Sequence, residues 1–220
     1  MRNVFTAHDH RSNRPPLTFL LAMSLLALTL LALPRPAGAE APEPSPYPVS
    51  WDLTFTHSVP KRIAVQAPGE ETPKAYWYVT YKVVNNTDKE HPFYPVFEMM
   101  TKDGIVTRSD NNIPHAVFDA IKHRENNKFL EDANHVSGTI NVGEDQAKEG
   151  VAIWLETTPR MGTFQIFASG LSGETATVKG PDNKDVTLHK TLQMTYQILG
   201  DEEFPNENDV TTKGEKWIMR

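Results

Sequence analysis

The stretch AYWYVTYKVV, residues 75–84, decides the fold class of this chain. Its apolar side chains alternate with other residues and place Trp77, Val79 and Tyr81 on one face of an extended segment. A period of two residues is typical of a β-strand that turns one face to a core. The run NNTD at residues 85–88 ends this strand, because Asn and Asp tolerate the backbone conformations of turns.

Short segments of the same kind recur through the chain and are separated by turn residues. They are residues 51–56, 62–66, 93–101, 105–108, 135–142, 150–156, 163–169, 175–179, 186–188 and 192–198. Many short strands without alternating helices argue against a parallel nucleotide-binding sheet. The pattern predicts a mainly β protein, specifically an immunoglobulin-like antiparallel β-sandwich with one short inserted helix.

The inserted helix is predicted in residues 112–125, where the alternation breaks. Asn112 is a candidate cap and Pro114 suits a first helical turn. Three apolar residues follow at helical spacing, namely Val117, Phe118 and Ile121. After the helix we predict a loop over residues 126–132, with Phe129 and Leu130 both packed against the body.

The first 39 residues look like a secretory signal peptide. Arginines precede an uncharged, Leu-rich run at residues 17–33, and the small residues Ala37 and Ala39 then mark a cleavage site. The alternative is an uncleaved membrane anchor, since 17 apolar residues lie at the lower limit for spanning a bilayer. We therefore expect an exported protein in the periplasm, the cell envelope or the extracellular space.

The remaining chain divides into a linker and one domain. Residues 40–50 carry four alternate prolines, which favour an extended linker. Residues 51–220 then form the β-sandwich domain. We predict that the acidic and polar stretch at residues 200–214 is a loop, and that the apolar end at residues 217–219 docks on a sheet.

Composition excludes several kinds of protein. The 220 residues carry a net charge of −6 and include no cysteine. An acidic domain argues against nucleic acid as a partner. The lack of cysteine excludes disulfides, thiolate metal ligands and a thiol nucleophile. The sequence contains no recognisable set of nucleophile, base and orienting group, so we predict neither catalysis nor a cofactor.

The predicted helix carries a candidate metal site. His115, Asp119 and His123 follow one another at intervals of four residues and so share one helical face. Imidazole and carboxylate groups suit zinc, copper, nickel or iron. Ligands two turns apart cannot share an ion without help, and His135 is the candidate for that help. The alternative is a solvated polar face beside the apolar stripe.

A second candidate site uses aromatic side chains. Tyr76 and Tyr78 lie on the strand face opposite Trp77, and Tyr94 lies beside Pro95. If that face is uncovered, the tyrosines form a platform for a sugar or a peptide. The alternative is that the opposing sheet buries one face of the strand and the inserted helix buries the other.

Several runs give the chain a family resemblance. They are residues 76–81, 84–87, 142–144, 150–154, 169–175, 190–193 and 217–220. Over about residues 50–220 the chain resembles a group of uncharacterised exported proteins typical of planctomycete-like bacteria. The strand that ends in Asn-Asn-Thr is also similar to adhesion-type β-sandwich modules of bacterial surface proteins. The resemblance implies bacterial export and an immunoglobulin-like body, and it implies no activity.

These observations lead to one functional hypothesis and one alternative. The hypothesis is an exported, non-catalytic binding module that takes a protein or another component of the cell envelope. The alternative is a periplasmic metal-binding protein that uses His115, Asp119, His123 and His135.

Overall fold

A computed structural model of the chain describes residues 42–158, 160–202, 205 and 209–220. The predicted signal peptide at residues 1–39 lies outside the described residues. The described residues, from 42 onward, form one compact unit. No helix in the described part of the chain is long and apolar enough to cross a membrane.

The described residues form a mainly β protein. The strands in chain order are β1 (Thr54–His57), β2 (Lys61–Val65), β3 (Lys74–Asn85), β4 (His91–Phe93), β5 (Val96–Met100), β6 (Val106–Arg108), β7 (Gly138–Ile140), β8 (Gly143–Leu155), β9 (Thr163–Ser169), β10 (Thr175–Lys179), β11 (Asp185–Ile198) and β12 (Val210–Met219). The helices are α1 (His115–Glu125) and α2 (Ala133–Val136). The prediction of a mainly β protein is therefore confirmed.

The first sheet is built around β3, the strand that contains residues 75–84. β8 pairs with one edge of β3 over most of its length, while β2 and then β1 pair with the other edge. All of these pairings are antiparallel. Because β1 and β2 lie in succession along one edge, the chain before β3 forms one interrupted edge strand.

The second sheet contains six strands. Its order runs β6, β5, β9 and β11, with β12 also paired to β11. β10 pairs with the first residues of β11, so that β10 and β11 form a hairpin. β4 and β7 form a separate two-stranded sheet. Every ladder among these strands is antiparallel.

One apolar core joins the two large sheets. Trp77 of β3 lies with its ring centroid 5.7 Å from that of Phe164 in β9, which in turn lies 5.5 Å from Tyr196 in β11. All three side chains are almost fully buried. Burying one such side chain contributes roughly 2–3 kcal/mol, so this face of β3 is a major source of the stability of the fold.

A second apolar cluster lies on the other face of the first sheet. There α1 packs Val117, Phe118 and Ile121 against Tyr76, Tyr78, Val151 and Ile153. The predicted helix and its apolar face are thus confirmed, although the helix begins at His115 rather than at residue 112. Asn112 does not cap it, because this residue lies in a left-handed turn with φ of 55° and Pro114 occupies the position before the helix.

Other predictions about irregular segments need correction. The predicted loop at residues 200–214 is too long, because β12 already begins at Val210, whose side chain is buried where it pairs with Ile198. The docking of residues 217–219 is confirmed, since they lie in the same strand. In the loop after α1, Leu130 is buried as predicted, whereas Phe129 points outward.

Candidate binding surface

The predicted tyrosine platform does not exist, because Tyr76 and Tyr78 are buried. Their side chains are 2% and 0% exposed beneath α1. The Tyr78 hydroxyl donates a hydrogen bond to Glu125 Oε1 at 2.6 Å, which holds the end of the helix on the sheet. Of the three predicted aromatic residues only Tyr94 is accessible, with 66% of its surface exposed.

Glu125 is the polar anchor of this helix. Lys61 Nζ lies 3.0 and 2.8 Å from its two carboxyl oxygens, so the carboxylate bridges β2 and β3. Burial alone would raise the pKa of Glu125, but the hydrogen bonds from Lys61 and Tyr78 outweigh burial and hold this pKa below its usual range. The carboxylate therefore remains ionised and fixes the helix.

The predicted metal ligands are not brought together. His115 Nε2 lies 3.5 Å from Asp119 Oδ1 on an exposed helix face. His135 instead lies 2.8 Å from Asp132, whose carboxylate caps the start of α2. Among residues 42–158, 160–202, 205 and 209–220, no group of three or more metal-ligating side chains could hold an ion. The i, i+4 spacing has placed His115 beside Asp119, but it supplies no third ligand.

Two of the proposed ligands line a groove instead. This groove, of about 800 Å³, lies where α1 ends, and it has seven lining residues: Asp119, Lys122, His123, Asn126, Asn127, Lys128 and Phe129. A second groove, of about 380 Å³, shares Phe129 and is also lined by Lys82, Glu131, Glu144, Asp145, Ala147, Lys148 and Glu149. We call Phe129 and these two sets of lining residues the Phe129 surface.

The segment that carries Phe129 is held on both sides. The Asn127 side chain accepts a hydrogen bond from the Phe129 backbone N–H at 2.9 Å and donates one to Glu149 at 2.5 Å. Lys122 Nζ donates to the Leu130 carbonyl at 2.8 Å, while the Leu130 side chain is buried. The outward direction of Phe129, which is 66% exposed, thus follows from bonds made by its neighbours.

The two grooves differ in charge. The first contains the two lysines Lys122 and Lys128 against the single carboxylate of Asp119. The second contains four carboxylates, from Glu131, Glu144, Asp145 and Glu149, against two lysines. Because the aromatic ring lies between them, the Phe129 surface offers an apolar face flanked by a basic and an acidic groove.

Hydrogen-bonding groups and an exposed ring together are suited to binding. Lys128 Nζ lies 4.9 Å from the centre of the Phe129 ring, and amide groups of Asn126 and Asn127 line the first groove. Such a surface can stack against an apolar face of a ligand and bond to polar groups on either side. Sequence reasoning missed this site, because nothing in the run NNKFLED distinguishes the exposed Phe129 from the adjacent, buried Leu130.

Comparison with known proteins gives no relative. No protein-family model, no curated protein and no solved structure matches this chain.

Proposed function

We propose that the protein is an exported, non-catalytic binding module of the cell envelope and that its ligand binds at the Phe129 surface. One observation carries this proposal: a large aromatic ring is 66% exposed between two polar grooves. Apolar surface that is rimmed by polar residues, as at the edges of these two grooves, is typical of ligand-binding and interaction sites. Contact with a ligand would remove the ring from water.

The strand order supports an immunoglobulin-like body for this module. In that fold, strands A, B and E share one sheet, while strands C′, C, F and G share the other. Taking β1 and β2 together as A, β3 as B and β8 as E reproduces the first sheet. Taking β6, β5, β9 and β11 as C′, C, F and G reproduces the order of the second.

Export is supported by the sequence of residues 1–39. Basic residues, an apolar run and a small-residue site occur there in the order of a secretory signal. The proline-rich residues 40–50 would then link the cleavage site to the domain. A domain of this kind fits the periplasm or the cell surface, where binding modules meet envelope components.

A non-catalytic role is supported by the engagement of the unusual ionisable groups in structural contacts. Glu125 holds α1, and Asp110 accepts a hydrogen bond from the Ile153 backbone. Groups used in this way are not poised toward a groove for proton transfer. The chemistry of the Phe129 surface favours a ligand with an apolar face beside hydroxyl or amide groups, such as a polysaccharide chain of the envelope.

The test is co-sedimentation of the purified protein with an insoluble bacterial envelope fraction. We expect Phe129→Ala to reduce the bound fraction about tenfold or more, because an aromatic anchor at the centre of an interface contributes most of the binding energy. Tyr94→Ala is the matched control, since Tyr94 has the same exposure and lies in the turn before β5. Equal binding by the wild type and Phe129→Ala would contradict the proposal, as would loss of binding in Tyr94→Ala alone.

A further inference from the structure

Lys190 lies in a largely buried cluster with two carboxylates from distant parts of the chain. Its Nζ atom is 2.9 and 3.2 Å from the carboxyl oxygens of Asp52, and 3.3 Å from Glu174 Oε2. The side chains of Lys190 and Glu174 are 9% and 8% exposed, and that of Asp52 is 34% exposed. This cluster is separate from the Phe129 surface and is not used in the proposed binding.

The two carboxylates play different parts. Asp52 contacts the ammonium group with both oxygens. Glu174 uses Oε1 to accept a hydrogen bond from the Ser45 backbone N–H at 2.6 Å, whereas its buried Oε2 makes no hydrogen bond. An unsatisfied buried oxygen in contact with an amine is unusual and calls for an explanation. This oxygen faces the Lys190 ammonium group at 3.3 Å, so Lys190 is the proton donor nearest to it.

The backbone holds the three residues in place. The backbone N–H of Leu53 donates to the Leu171 carbonyl at 2.8 Å, and that of Gly173 donates to the Trp51 carbonyl at 3.0 Å, so the segments that carry Asp52 and Glu174 are tied together. A Cβ at Gly173 would lie 2.4 Å from Trp51 Nε1, which shows how closely these segments approach. The Lys190 N–H donates to the Glu174 carbonyl at 3.0 Å.

An aromatic ring closes the cluster. The ring centre of Trp217 lies 5.2 Å from Lys190 Nζ, and Trp217 belongs to β12, the strand beside Lys190. The ammonium group is therefore in contact with two carboxylates and one aromatic ring.

We propose that Lys190 and Asp52 condense into an intramolecular isopeptide bond, with Glu174 as the proton shuttle. The fixed contact of the Lys190 amine with the Asp52 carboxyl group, while Glu174 Oε2 lies 3.3 Å from the same amine, points to this modification. Holding two reacting groups in contact favours their reaction strongly over the same reaction in solution.

The reaction balances without any added reagent. Glu174 Oε2 takes one proton from the Lys190 ammonium and passes it to the Asp52 carboxylate. The lone pair of the neutral amine then attacks Asp52 Cγ and forms a C–N bond. A second proton moves from nitrogen to the departing oxygen, the C–O bond breaks, and one water molecule leaves. An ammonium and a carboxylate thus become an amide and water, and Glu174 returns to its starting state.

The resting cluster is still charged before this reaction. Burial alone would lower the pKa of Lys190, but its contacts with Asp52 and Glu174 outweigh burial and raise it. Proton transfer to Glu174 must therefore precede attack, so we expect the bond to form slowly and only after folding has assembled the cluster. The product would covalently join the segment before β1 to β11.

The test is the intact mass of the purified full-length chain after denaturation. We expect the wild type to be lighter, by the mass of one water molecule, than the mass calculated from its observed N-terminus. Proteolysis should also release a branched peptide that contains both Lys190 and Asp52. A wild-type protein that is folded, has the unmodified mass and yields no branched peptide would overturn the proposal.

Variants distinguish the isopeptide bond from other reactions in which the chain loses a water molecule. Cyclisation of Asp52 or of an N-terminal glutamate would give the same mass change but would persist in Lys190→Met, whereas the isopeptide bond would not. Glu174→Gln retains both reacting groups, and we expect it to slow cross-linking about a hundredfold, because it removes the proton shuttle. Unchanged cross-linking in Glu174→Gln would refute the role of Glu174.

The chain also provides an internal control. Lys179 Nζ lies 2.8 Å from Asp185 Oδ1, about as close as Lys190 to Asp52, but these side chains are more than half exposed. We expect peptide mapping to find Lys179 unmodified. A branched peptide at Lys179 as well would indicate adventitious condensation and would contradict the proposed site.

Discussion

Replacing Asp110 by Asn should make the protein more stable at neutral pH. Asp110 follows β6, and its carboxyl group accepts hydrogen bonds from Ser109 Oγ at 2.5 Å and from Ile153 N–H at 3.3 Å. Burial raises the pKa of Asp110 to about 6, because these two bonds only partly compensate for the lost solvation of its charged form. The ionised carboxylate therefore destabilises the folded state.

The magnitude follows from the position of this pKa. The ordinary pKa of an aspartate is 3.8, about two pH units below the pKa of Asp110 in the folded protein. This difference corresponds to about 3 kcal/mol of folding free energy at 25 °C. Between pH 4 and pH 6 the folded state binds more protons at Asp110 than the unfolded state does. The contribution of Asp110 to the free energy of unfolding therefore falls as pH rises through this window and is constant above it.

Asparagine keeps the local structure but does not ionise. Its amide oxygen can accept from Ile153 N–H, its amide nitrogen can donate to Ser109 Oγ, and Asn tolerates the left-handed backbone at this position, where φ is 60°. We expect Asp110→Asn to gain about 2–3 kcal/mol over the wild type between pH 4 and pH 8.

The assay is urea-induced unfolding of both proteins at several pH values. The relevant quantity is the free energy of unfolding of the variant minus that of the wild type, followed as a function of pH. All other groups titrate equally in the two proteins and cancel in this difference. Asp103→Asn, at an exposed turn, controls for the loss of one negative charge. We expect the stability gain of Asp110→Asn to be larger at pH 8 than at pH 4. A gain that is the same at the two pH values, or smaller at pH 8, would refute the reasoning.

Two packing predictions concern the first sheet and its helix. Gly150→Ala should lower the free energy of unfolding by about 1–3 kcal/mol, because a Cβ at this position would lie 2.5 Å from the ring of Tyr81. A melting temperature equal to that of the wild type would contradict this contact. Ile121→Ala should cost about 2–5 kcal/mol in urea unfolding, because Ile121 is fully buried between α1 and the sheet. Phe129→Ala should change stability by no more than about 0.5 kcal/mol, and a cost similar to that of Ile121→Ala would mean that Phe129 is packed rather than exposed.

The strands and the helix could be predicted because their signals are local. The alternation in residues 75–84 defines both faces of β3, and the spacing of Val117, Phe118 and Ile121 defines the buried face of α1. Burial of Tyr76 and Tyr78 also had a local signal. A strand that is aromatic or aliphatic on both faces is one that is covered on both faces.

The direction of a side chain in an irregular segment had no such signal. Phe129 and Leu130 are adjacent, equally apolar and outside any regular element. Leu130 is buried and Phe129 exposed because the Asn127 side chain bonds to the Phe129 backbone and Lys122 bonds to the Leu130 carbonyl. Periodicity cannot supply this information, since it depends on hydrogen bonds made by neighbouring side chains.

The cluster around Lys190 shows a different limit. Its partners lie 138 residues earlier in the chain, at Asp52, and 16 residues earlier, at Glu174. The β10–β11 hairpin brings Glu174 to Lys190, whereas Asp52 arrives through the bridge between Asp52 and Ser172, which joins distant parts of the chain. In the sequence Lys190 stands between the polar residues His189 and Thr191, so no local pattern marks it as buried or identifies its partners.

The segment between β6 and β8 links the core to the candidate binding surface. Its helix α1 covers Tyr76 and Tyr78, while the residues after the helix carry Phe129. The same insertion therefore closes one face of the sheet and presents the exposed ring. Because the inward contacts use Val117, Ile121 and Leu130, exposed positions on this segment can change without loss of core packing. Binding specificity at the Phe129 surface could thus vary while the fold remains constant.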